Sequence, residues 1–331
     1  MQLNVFKENR GVAKASWKEL TDGVLKGDVR SLARIITRVE NREPGWHEAM
    51  KALYPASGGA VVVGITGSPG AGKSTLTNAI AGAFAKAGRK IGVIAVDPSS
   101  PFSGGALLGD RLRMRESSTH PDIFIRSMAT RGALGGLCQG ARDVARIMAA
   151  FGKDLILIET VGVGQDEIEV VKAADCVMVV LTPGQGDGIQ ALKAGIMEIA
   201  DIYVVNKADR EGADEVVADV LGMLSIAGGD QSPVLKVSAL KGLGIDEVVK
   251  AVDAHAGRSR NRETWMRERI KAEILTLLEG EILNRLIAKF GKNGALDKAV
   301  SQILERESDP YTAVETLLPR MAEAASGETK K

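Results

Sequence analysis

The chain has 331 residues, enough for one large domain or for one domain with extensions. Its 43 lysine and arginine residues nearly balance 42 aspartate and glutamate residues, which argues against a generally polyanionic partner such as nucleic acid. The N-terminus has no apolar signal core, and no apolar run reaches the roughly 20 residues that span a bilayer. We therefore expect a soluble, cytoplasmic protein with no membrane partner.

The cysteines and histidines do not form a metal-binding pattern in the sequence. Cys138 and Cys176 are far apart and neither lies in a C-x-x-C pair, which predicts buried thiols in a reducing compartment. His47, His120 and His255 have no cysteine or carboxylate cluster around them at zinc-ligand spacing. We expect all three histidines to be structural or surface residues.

Residues 1–57 are predicted to form a helical N-terminal extension. Apolar residues recur at helical spacing over residues 17–25 and again over residues 32–39. Pro44 and the segment 55–59 break this pattern, so we place a domain boundary after residue 57.

From residue 60 the pattern changes to short runs rich in Val and Ile that alternate with helical stretches. Most of these runs are apolar on both faces, which is typical of central strands in a parallel sheet that helices cover on both sides. The sequence therefore predicts a doubly wound, mostly parallel α/β fold over residues 58–257. The predicted strands are 61–66, 90–97, 123–127, 155–159, 176–181, 202–206 and 234–238, and helices are predicted at 74–87, 213–226 and 245–254.

Residues 258–331 lack strand patterns and are predicted to form a C-terminal helical extension. A long amphipathic helix is followed by helices at 296–305 and 311–325, the last of which we expect to be interrupted at Pro319. The long helix has more apolar faces over residues 272–290 than one core contact needs, which favours a dimer interface.

The strongest motif is a phosphate-binding loop, G-x-x-x-x-G-K-[ST], which follows the first predicted strand and precedes a predicted helix. Glycines let the loop wrap with its N–H groups inward, so these donors and the helix N-terminus hold phosphate oxygens. Lys73 is expected to act in catalysis at the β- and γ-phosphates, and the Ser74 hydroxyl to bind Mg²⁺. The predicted nucleotide-binding residues are Gly67, Ser68, Pro69, Gly70, Ala71, Gly72, Lys73, Ser74 and Thr75.

The tetrapeptide N-K-A-D at 206–209 ends a predicted strand and is similar to the guanine-specificity motif of GTPases. The Asp209 carboxylate can accept hydrogen bonds from both N1–H and N2–H₂ of guanine, and adenine presents no such donor pair. Asn206 can bond the O6/N7 edge, and the stem of Lys207 can cover the base. The next strand ends in a triplet similar to the element whose backbone N–H meets guanine O6: Ser238, Ala239 and Leu240. We therefore predict GTP and GDP as ligands.

Three acidic residues are candidate ligands of Mg²⁺. Asp97 and Glu159 each end a predicted strand, at the edge where open α/β sheets bind ligands. Glu159 and Gly162 have the spacing of D-x-x-G in many GTPases, so this carboxylate is also expected to act in catalysis. Asp110, which is also a candidate catalytic residue, lies in the Gly-rich segment 102–114, which predicts a loop that a ligand orders. The alternative for Asp110 is the start of a surface helix.

A second Gly-rich segment, residues 182–193, follows the predicted strand 176–181 at the same edge. It is either a further switch or a plain connecting loop. Asp187, Gln190 and Lys193 are the candidates for a catalytic side chain that a partner could order.

Five segments together resemble the MeaB/ArgK family: GSPGAGKST, VDPSSPFSGGALLGDRLRM, ETVGVGQDE, PGQGDGIQALKAGI and NKAD. Its members are GTPase chaperones of adenosylcobalamin-dependent methylmalonyl-CoA mutase. The resemblance spans roughly residues 15–325. It implies a Mg²⁺-dependent GTPase that gates cofactor loading, protects the mutase from inactivation and forms homodimers through its C-terminal helices. It also implies that Asp97, Asp110 and Glu159 surround the metal, and that residues 182–193 relay the nucleotide state to the mutase.

Other functions remain open at this point. A GTPase that matures another metalloenzyme, such as a nickel-insertion GTPase, would need a His-rich or Cys/His segment. A signal-recognition GTPase would need a Met-rich apolar domain. The sequence shows neither pattern. A protein kinase acting on a transport protein, a role once attached to the family's name, would be expected to prefer ATP, against the N-K-A-D motif. An RNA-associated GTPase could use the basic residues of 258–271, although the acids among them favour a solvated helix face.

Overall fold

The computed structural model describes residues 15–97, 120–129, 136–160, 173–184, 200–226, 232–257, 262–292 and 294–325. Contacts between residues divide the chain into two compact units, Met1–Arg258 and Ser259–Lys331. The division into three segments at residues 57 and 257 stays a prediction.

A seven-stranded parallel sheet forms the centre of the first unit within the described ranges. Its strands are β1 (Val61–Gly67), β2 (Ile91–Asp97), β3 (Ile123–Ala129), β4 (Leu155–Thr160), β5 (Cys176–Leu181), β6 (Ile202–Asn206) and β7 (Val234–Val237). They are arranged in the order β3-β2-β4-β1-β5-β6-β7. The strand that leads into the phosphate-binding motif is therefore flanked by β4 and β5.

Helices cover both faces of this sheet. They are α1 (Trp17–Leu25), α2 (Val29–Glu40), α3 (Trp46–Leu53), α4 (Lys73–Lys86), α5 (Gly136–Ala150), α6 (Ala213–Ile226) and α7 (Ile245–Gly257). Helices α4 and α7 pack on one face, and α1–α3, α5 and α6 pack on the other. Because both faces are covered, every residue of β4, β5 and β6 is buried. The predicted doubly wound α/β fold is confirmed.

The N-terminal helices share a core with the sheet. Ser16 caps the N-terminus of α1: its hydroxyl accepts a hydrogen bond from the Glu19 N–H, and the Glu19 carboxylate accepts one from the Ser16 N–H. Buried apolar residues of α1–α3 pack with those of α5, β2 and β4. Arg42 and the buried carboxylate of Asp143 form an ion pair of 2.7 Å that joins the end of α2 to α5. This helical segment therefore completes one face of the first unit.

The second unit contains three helices in its described part, α8 (Arg262–Lys292), α9 (Ala295–Leu304) and α10 (Pro310–Ala325). The expected interruption at Pro319 is wrong, because α10 continues through that residue. Helix α8 exposes a series of large apolar side chains: Ile270, Ile274, Leu275, Leu277, Leu278, Ile282, Leu283 and Ile287. Across the described ranges, none of the helices is both long and apolar enough to cross a bilayer.

Candidate functional site

The loop between β1 and α4 packs closely against the backbone of β5 at its start and against the Asn206 side chain at its end. Gly67 has φ of 141°, and a Cβ atom there would lie 2.1 Å from the carbonyl oxygen of Val180 on β5. Gly72, with φ of 87°, precedes α4, and a Cβ atom there would lie 2.5 Å from Nδ2 of Asn206. Side chains are excluded at both positions, which explains why the first and last glycines of the motif are required. The N-terminus of α4 then faces the loop.

Lys73 is the first residue of α4, and its side chain is buried. Its ammonium group donates hydrogen bonds to the carbonyl oxygens of Gly67, at 2.5 Å, and Ser68, at 3.2 Å. The loop thus holds a positive charge beside its own backbone. A phosphate oxygen is the natural counter-ion for a charge in this position.

Ser74 and Glu159 bring a hydroxyl and a carboxylate together beside the loop. The Ser74 hydroxyl donates to Oε1 of Glu159 at 2.5 Å, and Glu159 lies near the end of β4 with only 2% exposure. Oxygen donors of this kind are the ligands that Mg²⁺ prefers, so these two residues fit the metal. Asp97 ends β2, which pairs with β4 on the side away from β1, so Asp97 lies at the same edge of the sheet as Glu159.

Asn206 connects the phosphate-binding loop to the loop after β7. Its Nδ2 donates to the Ala71 carbonyl at 2.8 Å, and its Oδ1 accepts from the Ala239 N–H at 3.1 Å. The sequence suggested that this amide bonds the guanine edge, but here both of its polar atoms bond protein backbone. Lys207, with φ of 58°, also contacts the phosphate-binding loop, where its Nζ donates to the Gly70 carbonyl at 2.6 Å. Asn206 therefore positions the two loops relative to each other.

Asp209 is held by two side chains from the loop after β7. Its Oδ1 accepts from the Ser238 hydroxyl at 2.7 Å, and Nζ of Lys241 lies 3.0 Å from its Oδ2. The Ser238 hydrogen bond, followed by that of Lys241, lowers the pKa of Asp209 to about 2. These two contacts fix the orientation of the carboxylate.

Lys241 was not identified from the sequence. It lies at the end of the short 3₁₀ helix Ala239–Lys241, and the turn brings its ammonium group back to Asp209. The sequence feature that could have indicated this contact is a lysine three residues after Ser238. Leu240, within the same turn, exposes its side chain to solvent.

Several predicted residues lie outside the described residues. They are Asp110, Gly162, Asp187, Gln190 and Lys193. The described part of the site therefore comprises the phosphate-binding loop, Glu159 with Ser74, and the Asn206–Asp209 segment with the loop after β7.

Comparison with known proteins identifies the family. A family model described as methylmalonyl Co-A mutase-associated GTPase MeaB matches residues 32–291. The chain belongs to the MeaB family of GTPases. A protein of Pyrococcus abyssi named as a GTPase is 45% identical to this MeaB-family chain over 309 residues, covering 91% of this chain and 95% of that protein. The Escherichia coli GTPase ArgK is 36% identical over 290 residues, covering 81% of this chain and 87% of ArgK.

Two further matches extend the MeaB-family comparison. A fused isobutyryl-CoA mutase of Cupriavidus metallidurans is 41% identical over 204 residues, which cover 60% of this chain and 18% of that protein. A crystal structure of a protein called LAO/AO transport system kinase aligns with a TM-score of 0.67 and 28% identity. That alignment covers 94% of this chain and 99% of the other.

Proposed function

We propose that this MeaB-family protein binds GTP with Mg²⁺, hydrolyses GTP slowly on its own, and serves as the chaperone of an adenosylcobalamin-dependent acyl-CoA mutase. The observation that carries the guanine specificity is the Asp209 carboxylate, which Ser238 and Lys241 hold in one orientation. Asn206 connects this base-reading segment to the phosphate-binding loop. One rigid frame therefore positions groups suited to both ends of a guanine nucleotide.

For hydrolysis, we propose that Lys73 stabilises negative charge on the phosphoryl oxygens and that Ser74 and Glu159 hold the metal. Mg²⁺, when bound, would neutralise charge on the β- and γ-phosphates. We further propose Asp97 and Asp110 as acids around the metal, and Lys193 as a catalytic side chain that a partner orders. Slow turnover follows from the sequence, since no glutamine that could orient the attacking water directly follows Gly162.

The nucleotide proposal is tested by calorimetric titration with GTP, ATP and XTP. The wild type should bind GTP far more tightly than ATP. Asp209→Asn should lose about 2–4 kcal/mol of GTP binding, because one bidentate contact to a base edge is removed, and should gain preference for XTP. Equal affinity of the wild type for ATP and GTP would exclude the proposed role of Asp209.

The mutase partner is supported by the family description and by the fused isobutyryl-CoA mutase, which contains a segment similar to this chain. A partner that orders residues 182–193 would be coupled to nucleotide binding by about 1–3 kcal/mol. GTP turnover should therefore rise when a methylmalonyl-CoA mutase is added. The triple variant Asp187→Ala, Gln190→Ala, Lys193→Ala should keep GTP binding and lose the acceleration. Wild-type turnover that does not respond to the mutase would argue against this partner.

A protein kinase acting on a transport protein is the second candidate, favoured by the name of the similar crystal structure. The two functions differ in where the γ-phosphate goes. Labelled nucleotide incubated with this protein and a candidate transport protein should give GDP and free phosphate under our proposal. Labelled transport protein would instead establish the kinase.

We also propose a cytoplasmic homodimer. The exposed apolar side chains of α8 offer a surface that a second copy could bury. The free buried thiol of Cys176 is consistent with a reducing compartment. Light scattering should give the mass of a dimer, and a chain ending at residue 257 should be a monomer.

A further inference from the structure

Three side chains with metal-binding atoms meet at the edge of the sheet opposite the phosphate-binding loop. Cys176 begins β5, Asp201 directly precedes β6, and His255 lies in the last turn of α7. One ligand atom of each lies within 4.8 Å of the other two. The three residues are distant in sequence, so no spacing motif indicates the cluster. The starts of neighbouring parallel strands and the end of the helix packed on them bring it together.

Backbone groups on either side of Cys176 orient both polar members of this cluster. Nε2 of His255 lies 3.1 Å from the carbonyl oxygen of Asp175. A carbonyl only accepts, so in the neutral ring Nε2 carries the proton and Nδ1 keeps its lone pair. One oxygen of Asp201 accepts from the Val177 N–H at 2.8 Å, and the other lies 3.9 Å from Nδ1 of His255. Metal-binding histidines and carboxylates are usually fixed by such outer hydrogen bonds.

The separations and the donor types suit zinc. Bonds of about 2.0–2.3 Å in a tetrahedral site place neighbouring ligand atoms about 3.3–3.8 Å apart, so atoms that are now as much as 4.8 Å apart would have to approach by about 1 Å. Sulfur, imidazole nitrogen and carboxylate oxygen are all ordinary zinc ligands. Cys176 is buried and free, whereas the side chains of Asp201 and His255 are 35% and 25% exposed and leave the cluster accessible from solvent.

We propose that Cys176, Asp201 and His255 bind one zinc ion, with a water molecule as the fourth ligand. The cysteine binds as the thiolate, and its proton is released to solvent. The ion would join α7 to the starts of β5 and β6. This site is separate from the proposed Mg²⁺ site, because the two lie at opposite ends of the parallel strands.

The test uses the full chain saturated with GDP and Mg²⁺, so that zinc does not compete for Ser74 and Glu159. Calorimetric titration with Zn²⁺ should show one site per chain, and Co²⁺ should produce a thiolate-to-cobalt charge-transfer band. His255→Gln and Asp201→Asn should each weaken Zn²⁺ binding by at least about tenfold. Cys176→Ala should abolish the band. Zinc at one hundred times its Kd should raise the Tm of the wild type by about 4 °C.

The structure supplies a matched control. His120 also lies 3.9 Å from a carboxylate, that of Asp122, and among the described side chains no cysteine joins that pair. His120→Gln should leave Zn²⁺ affinity, the cobalt band and the Tm shift unchanged, as should Cys138→Ala. If the wild type binds no Zn²⁺, or if His255→Gln binds it as tightly as the wild type, the proposed site is wrong. His255→Gln changes a partly exposed residue, so this result does not depend on tolerance of a change at the buried cysteine.

Discussion

Replacing Asn206 by alanine should destabilise the folded protein before any nucleotide is added. The amide makes two short hydrogen bonds to backbone groups, at 2.8 Å and 3.1 Å, and a longer one of 3.5 Å to the Gly72 carbonyl, and the residue is 2% exposed. Each such bond contributes about 1 kcal/mol net, and a buried group left without its partner costs about 1–3 kcal/mol. Because the carbonyl of Ala71 and the N–H of Ala239 both lose their partner, we expect a loss of about 2–4 kcal/mol in the free energy of unfolding.

The measurement is urea denaturation of the nucleotide-free full chain. Thr77→Val is the matched control, since Thr77 lies on α4, is fully buried, and has no hydrogen-bond partner for its hydroxyl within the described residues. Its replacement by an apolar residue of the same shape should be neutral or slightly stabilising. Asn206→Asp keeps the acceptor for Ala239 but sets a carboxylate against the Ala71 carbonyl, so it should be no better than alanine. An Asn206→Ala variant within about 0.5 kcal/mol of wild type would refute the reasoning.

Three further predictions concern the same site. Lys73→Ala should abolish GTP hydrolysis, because its charge stabilises the phosphoryl oxygens. Glu159→Ala should lower both the rate of hydrolysis and its dependence on Mg²⁺. Phosphate release at the wild-type rate by the Glu159 variant would exclude Glu159 from the metal site. Gly67→Ala should lower the free energy of unfolding by about 2–4 kcal/mol, because the added Cβ would overlap the Val180 carbonyl. An unchanged midpoint of urea denaturation would contradict this, since it would mean that β1 and β5 move apart to accept the Cβ. Because the folded pKa of Asp209 is depressed, its contribution to stability is present above its usual pKa and is lost as the pH falls through about 2. Lys241→Ala should raise that pKa and move the loss to higher pH, as NMR titration of the carboxyl group would show; an unmoved titration would exclude Lys241 as a cause.

The sequence predicted the sheet well, because strands buried on both faces are continuous apolar runs. The ranges predicted for β5 and β6 agree with the structure, as does that for α6. The strand predicted to end at Ser238 is one residue shorter, since Ser238 forms a bridge with Leu243 while its hydroxyl bonds Asp209. The sequence predicted a helix interruption at Pro319, but α10 continues through that residue.

The contacts within the site were less predictable than its composition. The motifs identified Asn206 as a nucleotide residue, but its bonds to the backbone depend on how three loops approach one another. Lys241 and the cluster of Cys176, Asp201 and His255 depend on contacts between distant segments, which periodicity does not encode. Local sequence patterns therefore predicted which residues belong to the site, whereas the contacts between those residues depend on how the sheet and its loops pack.

The position of β1 has a consequence for how the protein is made. Val61 pairs with Leu155 and Val63 with Cys176, so the strand that carries the phosphate-binding loop has neighbours 94 and 113 residues further along the chain. At about 5–20 residues per second, a ribosome needs several seconds or more to supply them. During that time β1 has two unpaired edges and an apolar surface, and pairings this distant form slowly. We therefore expect the nascent chain to depend on protection from aggregation until β5 has emerged, and the phosphate-binding loop to form late in synthesis.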